Sequence, residues 1–251
     1  MLGLALWSIA IEWYWPHRLP QTIGLDYWKV TLGIERAAFF GAVSAIDALI
    51  TSIIIALIVV SLAMLISIPT GYALASYDIP FKPLILMLFL MPQAFPQQPI
   101  FVNLMLFFYK VGLMGTLPGV VLAHLMPSLV FAVWITSATF KAIKPELEEA
   151  ARIVGASRLK AFLKVTLPLA APGIVASSVY VFIYSLDEFT GTFFVGLPFV
   201  STLPMLLYSA SGYNMQFASC TAIILLVPSI MFMLLVERFL KAEYLAMGIK
   251  G

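Results

Sequence analysis

Charge is what this chain has least of. Asp, Glu, Lys and Arg supply 10% of its 251 residues and hydrophobic residues 62%, whereas a soluble domain carries about 25% charged residues. With a mean hydropathy of +1.03, that balance argues against a water-soluble enzyme. The basic excess is only +2 and thinly spread, so no face can neutralise a run of phosphates, which argues against nucleic acid as a partner. A single cysteine, Cys220, closes no internal disulfide and builds no zinc or iron–sulfur site, so its apolar surroundings account for it. The two histidines, His17 and His124, sit on distant segments and do not form the paired ligand set of a haem-binding membrane subunit. Neither a phosphate-cradling Gly-x-x-x-x-Gly-Lys-Ser/Thr loop nor a Gly-x-Ser-x-Gly nucleophile elbow occurs, and no enzyme chemistry is visible.

What the chain has in abundance is uncharged sequence long enough to cross a bilayer, which takes about 20 helical residues. Ala48–Ile68, Val111–Phe140, Val165–Leu186 and Phe217–Val236 are continuous windows of this kind. A fifth, Leu84–Tyr109, is interrupted by Pro92, Pro96 and Pro99 around Gln93, Gln97 and Gln98. Inside lipid every carbonyl freed by a proline must find a partner, so this segment is expected to face other helices or a wet cavity and to belong to a transport path. Met1–Ile11 is uncharged but too short to span, and it runs into Glu12 and the aromatic Trp13-Tyr14-Trp15, residues that favour the headgroup level. The expectation is either a start placed too far downstream or a foreshortened first span over Met1–Trp15, in a total of about six.

Orientation follows from the basic residues, because cytoplasmic connections hold the Lys and Arg excess. With the loop near 139–164 inside, the inner set is Lys82, Lys141, Lys144, Arg152, Arg158, Lys160, Lys164, Arg238, Lys241 and Lys250. The outer set is then Arg18, Lys29, Arg36 and Lys110. That loop and the C-terminus are therefore expected in the cytoplasm, with residues 1–251 forming one all-α, polytopic membrane domain.

The loop itself reads as two short helices joined by a sharp turn. Pro145 suits a first helical turn, Glu146, Glu148 and Glu149 favour the positive end of its dipole, and Gly155 stops it with a positive φ. Ser157 can cap a second helix running to Pro168, where the next span is expected to begin. Leu147, Ala150, Ala151 and Val154 share helical spacing but offer little apolar surface to bury. A solvated, capped loop would explain this pattern, and so would a docking element in which small Ala150 and Ala151 permit close approach of a soluble partner.

Glu149-Ala150-Ala151, three residues, Gly155, nine residues, then Val165-Thr166-Leu167-Pro168 resembles the EAA loop of importer-type ABC transporter permeases, with Val165 where that family usually has isoleucine. Weaker resemblance extends from Thr70-Gly71-Tyr72-Ala73-Leu74-Ala75 to Leu203-Pro204 and the last span. The resemblance implies a type I-like permease fold in the inner membrane and a coupling loop over about 141–166. Glu148, Glu149, Ala150, Ala151, Arg152, Gly155 and Pro168 would serve ATPase coupling, with Glu149 making polar contacts and Gly155 the turn. It further implies two ATP-binding subunits carrying ATP and magnesium, a second permease chain, for which a similar but non-identical partner is favoured over a second copy, and an extracytoplasmic solute-binding protein, with no cofactor in this chain.

For the substrate, Ser185-Leu186-Asp187-Glu188 is similar to a Ser-Leu-Asp-Asp segment of spermidine/putrescine-type permeases. This similarity points to a polyamine or other small organic cation drawn by Asp187 and Glu188, with Tyr184, Gln97 and Trp134 along the path. Carboxylates that merely end a helix at the water interface are the plainer reading. The Arg238–Gly251 tail and the Lys110–Leu117 loop resemble sugar-importer permeases instead, and Trp134, Tyr180 and Tyr184 could stack on a sugar. Two rivals of other classes are a proton-coupled secondary transporter relaying protons through Asp187, Glu188 and His124, and a structural membrane anchor for a soluble complex. The first leaves the loop spacing unexplained and lacks a visible inverted repeat.

Overall fold

The computed structural model describes residues 2–35 and 44–246. Its elements in chain order are α1 (Leu2–Ile9), a two-stranded ribbon of β1 (Ala10–Glu12) and β2 (Thr22–Ile23), α2 (Asp26–Thr31), α3 (Ala45–Ser76), α4 (Lys82–Leu90), α5 (Gln97–Lys110), α6 (Leu117–Lys141), α7 (Pro145–Ile153), α8 (Arg158–Ala161), α9 (Leu167–Asp187), α10 (Leu203–Ser211) and α11 (Met215–Ala246). Among the described residues, four helical stretches are long and apolar enough to cross a membrane: Ala45–Ser76, Leu117–Lys141, Arg158–Asp187 and Met215–Leu234. They coincide with the four continuous windows. The start at Leu117 rather than Val111 follows from Gly112 and Gly115, both at positive φ (+72° and +71°), which make the preceding segment a turn.

The proline-rich fifth window is broken as its sequence requires. α4 ends at Leu90, a 3-10 turn covers Met91–Ala94, and α5 begins at Gln97. At the N-terminus the first helix is short: α1 has eight residues, roughly 12 Å at 1.5 Å each, and it gives way at Ala10 to a strand rather than running on to Trp15. Ala10 pairs with Ile23 and Glu12 with Thr22 in an antiparallel ribbon, because strand pairing satisfies the backbone that a continued helix would have used. The segment is tied down by Gln216, whose amide donates to the Ile11 carbonyl at 3.3 Å, and by Cys220, whose thiol donates to the Ser8 carbonyl at 3.4 Å.

The chain divides into two compact units built of interleaved segments. The first comprises Met1–Leu57, Gln98–His124 and Ser185–Met231, and the second Ile58–Gln97, Leu125–Tyr184 and Phe232–Gly251. The first has small apolar cores, among them Phe101, Phe108, Ala123 and Val195, and Ala45, Ala48, Leu203 and Ile224. In the second, α6 meets its neighbours at glycines. A side-chain carbon on Gly71 of α3 would overlap Thr136 and the Ser137 backbone, and one on Gly173 of α9 would overlap Thr139. Such small-residue crossings are how helices approach closely without a hydrophobic driving force in lipid. α6 is accordingly the most enclosed of the four, with 61% of its apolar window buried against 33% in each of the others.

The basic residues sort cleanly. Nine members of the inner set, Lys82 through Lys241, belong to the second unit, while Arg18, Lys29 and Lys110 belong to the first. Arg36, Lys250 and the tail beyond Ala246 lie outside the described residues.

Candidate functional site

The loop between α6 and α9 forms the expected elbow, and its geometry follows from its sequence. Lys144 is extended (φ −67°, ψ 124°) and Pro145 opens α7, where a missing N–H costs no intrahelical bond. At the far end Gly155 has φ +96°. Its N–H donates to the Arg152 carbonyl at 3.0 Å and that of Ala156 to the Ala151 carbonyl at 3.1 Å, the paired bonds of a Schellman turn. Ser157 caps α8, its hydroxyl accepting the Lys160 N–H at 3.3 Å.

No residue of α7 is buried. Glu149, Ala150 and Arg152 are exposed and Ala151 half-buried, while Ile153 and Val154 at the tip are 85% and 86% exposed. The helix thus presents alanines, charges and an apolar tip on its open side. Beside it opens a cleft of about 370 Å³ bounded by Tyr72, Ser76, Phe140, Lys144, Glu149 and Arg158, among others. The Arg158 guanidinium lies 6.0 Å from the Tyr77 ring centroid, within the range of a cation–π contact.

Glu148 departs from the outward-facing set. Its Oε1 accepts the Tyr72 hydroxyl at 2.7 Å and its Oε2 the Thr166 hydroxyl at 2.6 Å. Both carboxylate oxygens are thereby engaged within the chain, one from the end of α3 and one from the approach to α9. Tyr72 is itself held among rings, 4.6 Å from Phe162 and 5.6 Å from Phe140 between centroids. Neither Tyr72 nor Thr166 stands out by composition, although each lies in a segment that resembles the permease family, Thr70–Ala75 and Val165–Pro168.

Pro168 does not start a new span. α8, a π-helical turn over Phe162–Thr166 and α9 run on as one rod, Arg158–Asp187. A proline lacks an N–H and its ring crowds the carbonyl four residues back. The widened turn, in which the Leu167 N–H reaches back five residues to the Phe162 carbonyl, loosens the ladder just ahead of Pro168 and lets the helix continue. The elbow is thus continuous with the candidate span Arg158–Asp187.

Of the expected path residues, the structure joins Gln97 and Tyr184: the amide donates to the phenolic oxygen at 2.7 Å. Tyr184 stacks on Tyr180 at 6.1 Å, and Phe131 of α6 lies 4.9 Å from Tyr180 and 5.9 Å from Tyr184. Gln93 donates to the Pro127 carbonyl at 3.4 Å, so two glutamines of the broken segment bond to the neighbouring spans α6 and α9, as membrane burial demands. Trp134 is 37% exposed and its indole N–H is bonded to the Leu86 carbonyl at 3.2 Å, bridging α6 and α4.

Asp187 and Glu188 belong to the other unit and differ from each other. Asp187 is exposed, whereas Glu188 is 5% exposed with its carboxylate accepting the Gly191 N–H at 2.8 Å. Glu188 therefore closes a backbone turn rather than forming an open lip for cations. His124 is fully buried between the Ser185 hydroxyl (3.0 Å) and the Thr192 hydroxyl (2.8 Å), a satisfied polar group within its helix packing.

Known proteins resemble this chain in sequence and in fold. The family model described as binding-protein-dependent transport system inner membrane component matches residues 67–242. The trehalose transport system permease protein SugB of Mycobacterium tuberculosis is 31% identical over 240 residues, 93% of this chain and 84% of SugB. The sulfoquinovosyl glycerol transport system permease protein SmoH of Agrobacterium fabrum is 29% identical over 210 residues, 81% of this chain and 73% of SmoH. Among solved structures, a chain of a bacterial alginate ABC transporter, in complex with an alginate pentasaccharide-bound periplasmic protein, superposes with a TM-score of 0.65 at 17% identity, over 94% of this chain and 85% of that one.

Proposed function

Because this chain belongs to the family of binding-protein-dependent transport system inner membrane components, we propose that it is the permease subunit of an ABC importer for a sugar or sugar conjugate, lodged in the inner membrane with its elbow in the cytoplasm. The observation that carries the coupling role is the exposed α7 helix, fixed by the Gly155 turn and continuous through α8 with a membrane span. A soluble ATP-binding subunit receiving α7 would thereby gain a handle on that span, and closure of two such subunits would switch the spans between outward- and inward-open arrangements. Glu149, Ala150, Ala151 and Arg152 are the residues assigned to that contact. ATP and magnesium belong to the partner, since this chain has no phosphate-cradling loop. A second permease chain would complete the pathway, and a solute-binding protein would deliver the cargo.

The sugar reading replaces the polyamine one. It is supported by SugB and SmoH, whose names give trehalose and sulfoquinovosyl glycerol, and by the turn-closing role of Glu188, which weakens the case for a cation lip. Phe131, Tyr180 and Tyr184 with the Gln97 amide form a cluster suited to a sugar, ring faces for C–H surfaces and an amide for hydroxyls. The test is a thermal-shift screen of the accompanying binding protein against disaccharides, sugar glycerols, polyamines and amino acids, followed by uptake in vesicles holding the assembled complex. Selective stabilisation by a sugar is expected; stabilisation by spermidine alone would overturn the sugar assignment, and uptake without an ATPase would overturn the importer.

A further inference from the structure

α7 is joined covalently to α6 on one side and, through the Gly155 turn, to the α8–α9 rod on the other, and it packs against the Phe162–Thr166 turn. Toward α3 it has no covalent connection. What bridges that gap is the carboxylate of Glu148, with the Tyr72 hydroxyl on one oxygen and the Thr166 hydroxyl on the other. The link is short, charge-assisted and braced by the rings of Phe140 and Phe162 around Tyr72. Resting on the importer reading above, we infer that Glu148 is a positioning residue for coupling. It makes no contact with the ATPase itself, and it locks α7 to the ends of α3 and α9 so that a push on the elbow moves both spans together.

This division of labour accounts for two adjacent glutamates with opposite environments. Glu149 is exposed and free to meet a partner, whereas Glu148 is half-buried with both oxygens engaged. Without the tie, α7 could be displaced against α3 while the ATPase still docked and cycled, and hydrolysis would run without moving α3. An interaction that couples two sites at a distance is worth about 5- to 150-fold, which sets the scale of the loss.

The test uses the complete complex in proteoliposomes with Glu148→Ala, Glu148→Gln and the pair Tyr72→Phe with Thr166→Val. Copurification of the ATPase, hydrolysis and uptake per ATP are read for each. Glutamine keeps an acceptor for Tyr72 and an amide that can donate to Thr166, but it carries no charge. Expected are normal assembly throughout, hydrolysis within about twofold of wild type, and uptake per ATP reduced about fivefold or more in the alanine and Tyr72/Thr166 variants, with glutamine close to wild type. Glutamine as damaging as alanine would mean that the charge meets the partner, and would overturn the positioning role. So would wild-type uptake per ATP in the Tyr72/Thr166 variant, or loss of the ATPase from it. A wild-type complex that moves no solute with ATP would overturn the importer reading itself, and the relay with it.

Discussion

Replacing Gly155 separates backbone conformation from surface contact. The residue sits at φ +96°, and a side-chain carbon there meets nothing within 4 Å, so any penalty is conformational rather than steric. Holding an L-residue in left-handed backbone costs roughly 1–2 kcal/mol, with asparagine tolerated best and β-branched residues worst. The alternative is to let the turn relax, which forfeits the Gly155-to-Arg152 and Ala156-to-Ala151 bonds, worth about 1 kcal/mol net each. The two routes bound the cost near 2 kcal/mol. Since 1.4 kcal/mol is a factor of about ten, Gly155→Val is expected to depopulate the elbow by more than tenfold, Gly155→Ala by somewhat less, and Gly155→Asn only slightly. Insertion in the membrane is expected to be unaffected. The assay is uptake per ATP in the reconstituted complex, with hydrogen exchange of residues 152–160 reporting the turn directly. If valine couples as well as glycine, or if asparagine is as harmful as valine, the backbone argument is refuted.

The two glycine crossings make contrasting predictions. Gly71→Ala is expected to cost stability that no side-chain truncation recovers, because the added carbon meets the Ser137 backbone as well as Thr136. Gly173→Ala meets Thr139 side-chain atoms first and is expected to be partly rescued by Thr139→Ala; overpacking of this kind costs about 1–3 kcal/mol, and the melting temperature of the detergent-solubilised chain measures both. For the carboxylates, Asp187→Asn with Glu188→Gln is expected to leave the half-saturating sugar concentration within about twofold, since glutamine can still accept the Gly191 N–H. A marked rise confined to cationic solutes would return the polyamine reading to favour.

The four continuous spans and the broken fifth were legible because a lack of charge over membrane length leaves few alternatives. The elbow was legible for a different reason: Pro145, Gly155 and Ser157 each carry a local backbone preference that no distant contact overrides. Tertiary partners were not legible. Nothing local distinguishes Glu148 from Glu149, and only the positions of Tyr72 and Thr166 turn one of them inward. The same holds for Glu188, whose burial and bond to Gly191 arise from how the chain turns after α9. Pro168 misled in the opposite direction, because a proline rule that is sound for an ordinary helix fails when a π-helical turn precedes it.

That continuity has a mechanical consequence for the proposed importer. The elbow end at Arg158 and the aromatic position Tyr184 occupy one rod, and Gly173 presses that rod against Thr139 between them. At 1.5 Å per residue the arm from Arg158 to Gly173 is roughly 22 Å and from Gly173 to Tyr184 roughly 16 Å. If the Gly173 crossing stays fixed and the rod turns as one body through its Phe162–Thr166 turn and Pro172, a displacement of the elbow arrives at Tyr184 with opposite sense and about seven-tenths of its size. A few ångströms at the ATPase would then be enough to break the 2.7 Å bond between Tyr184 and Gln97, since a hydrogen bond does not survive such a separation. The bond at the proposed sugar cluster is therefore expected to be intact in one transport state and open in the other, with the glycine crossing as the fulcrum that relates them.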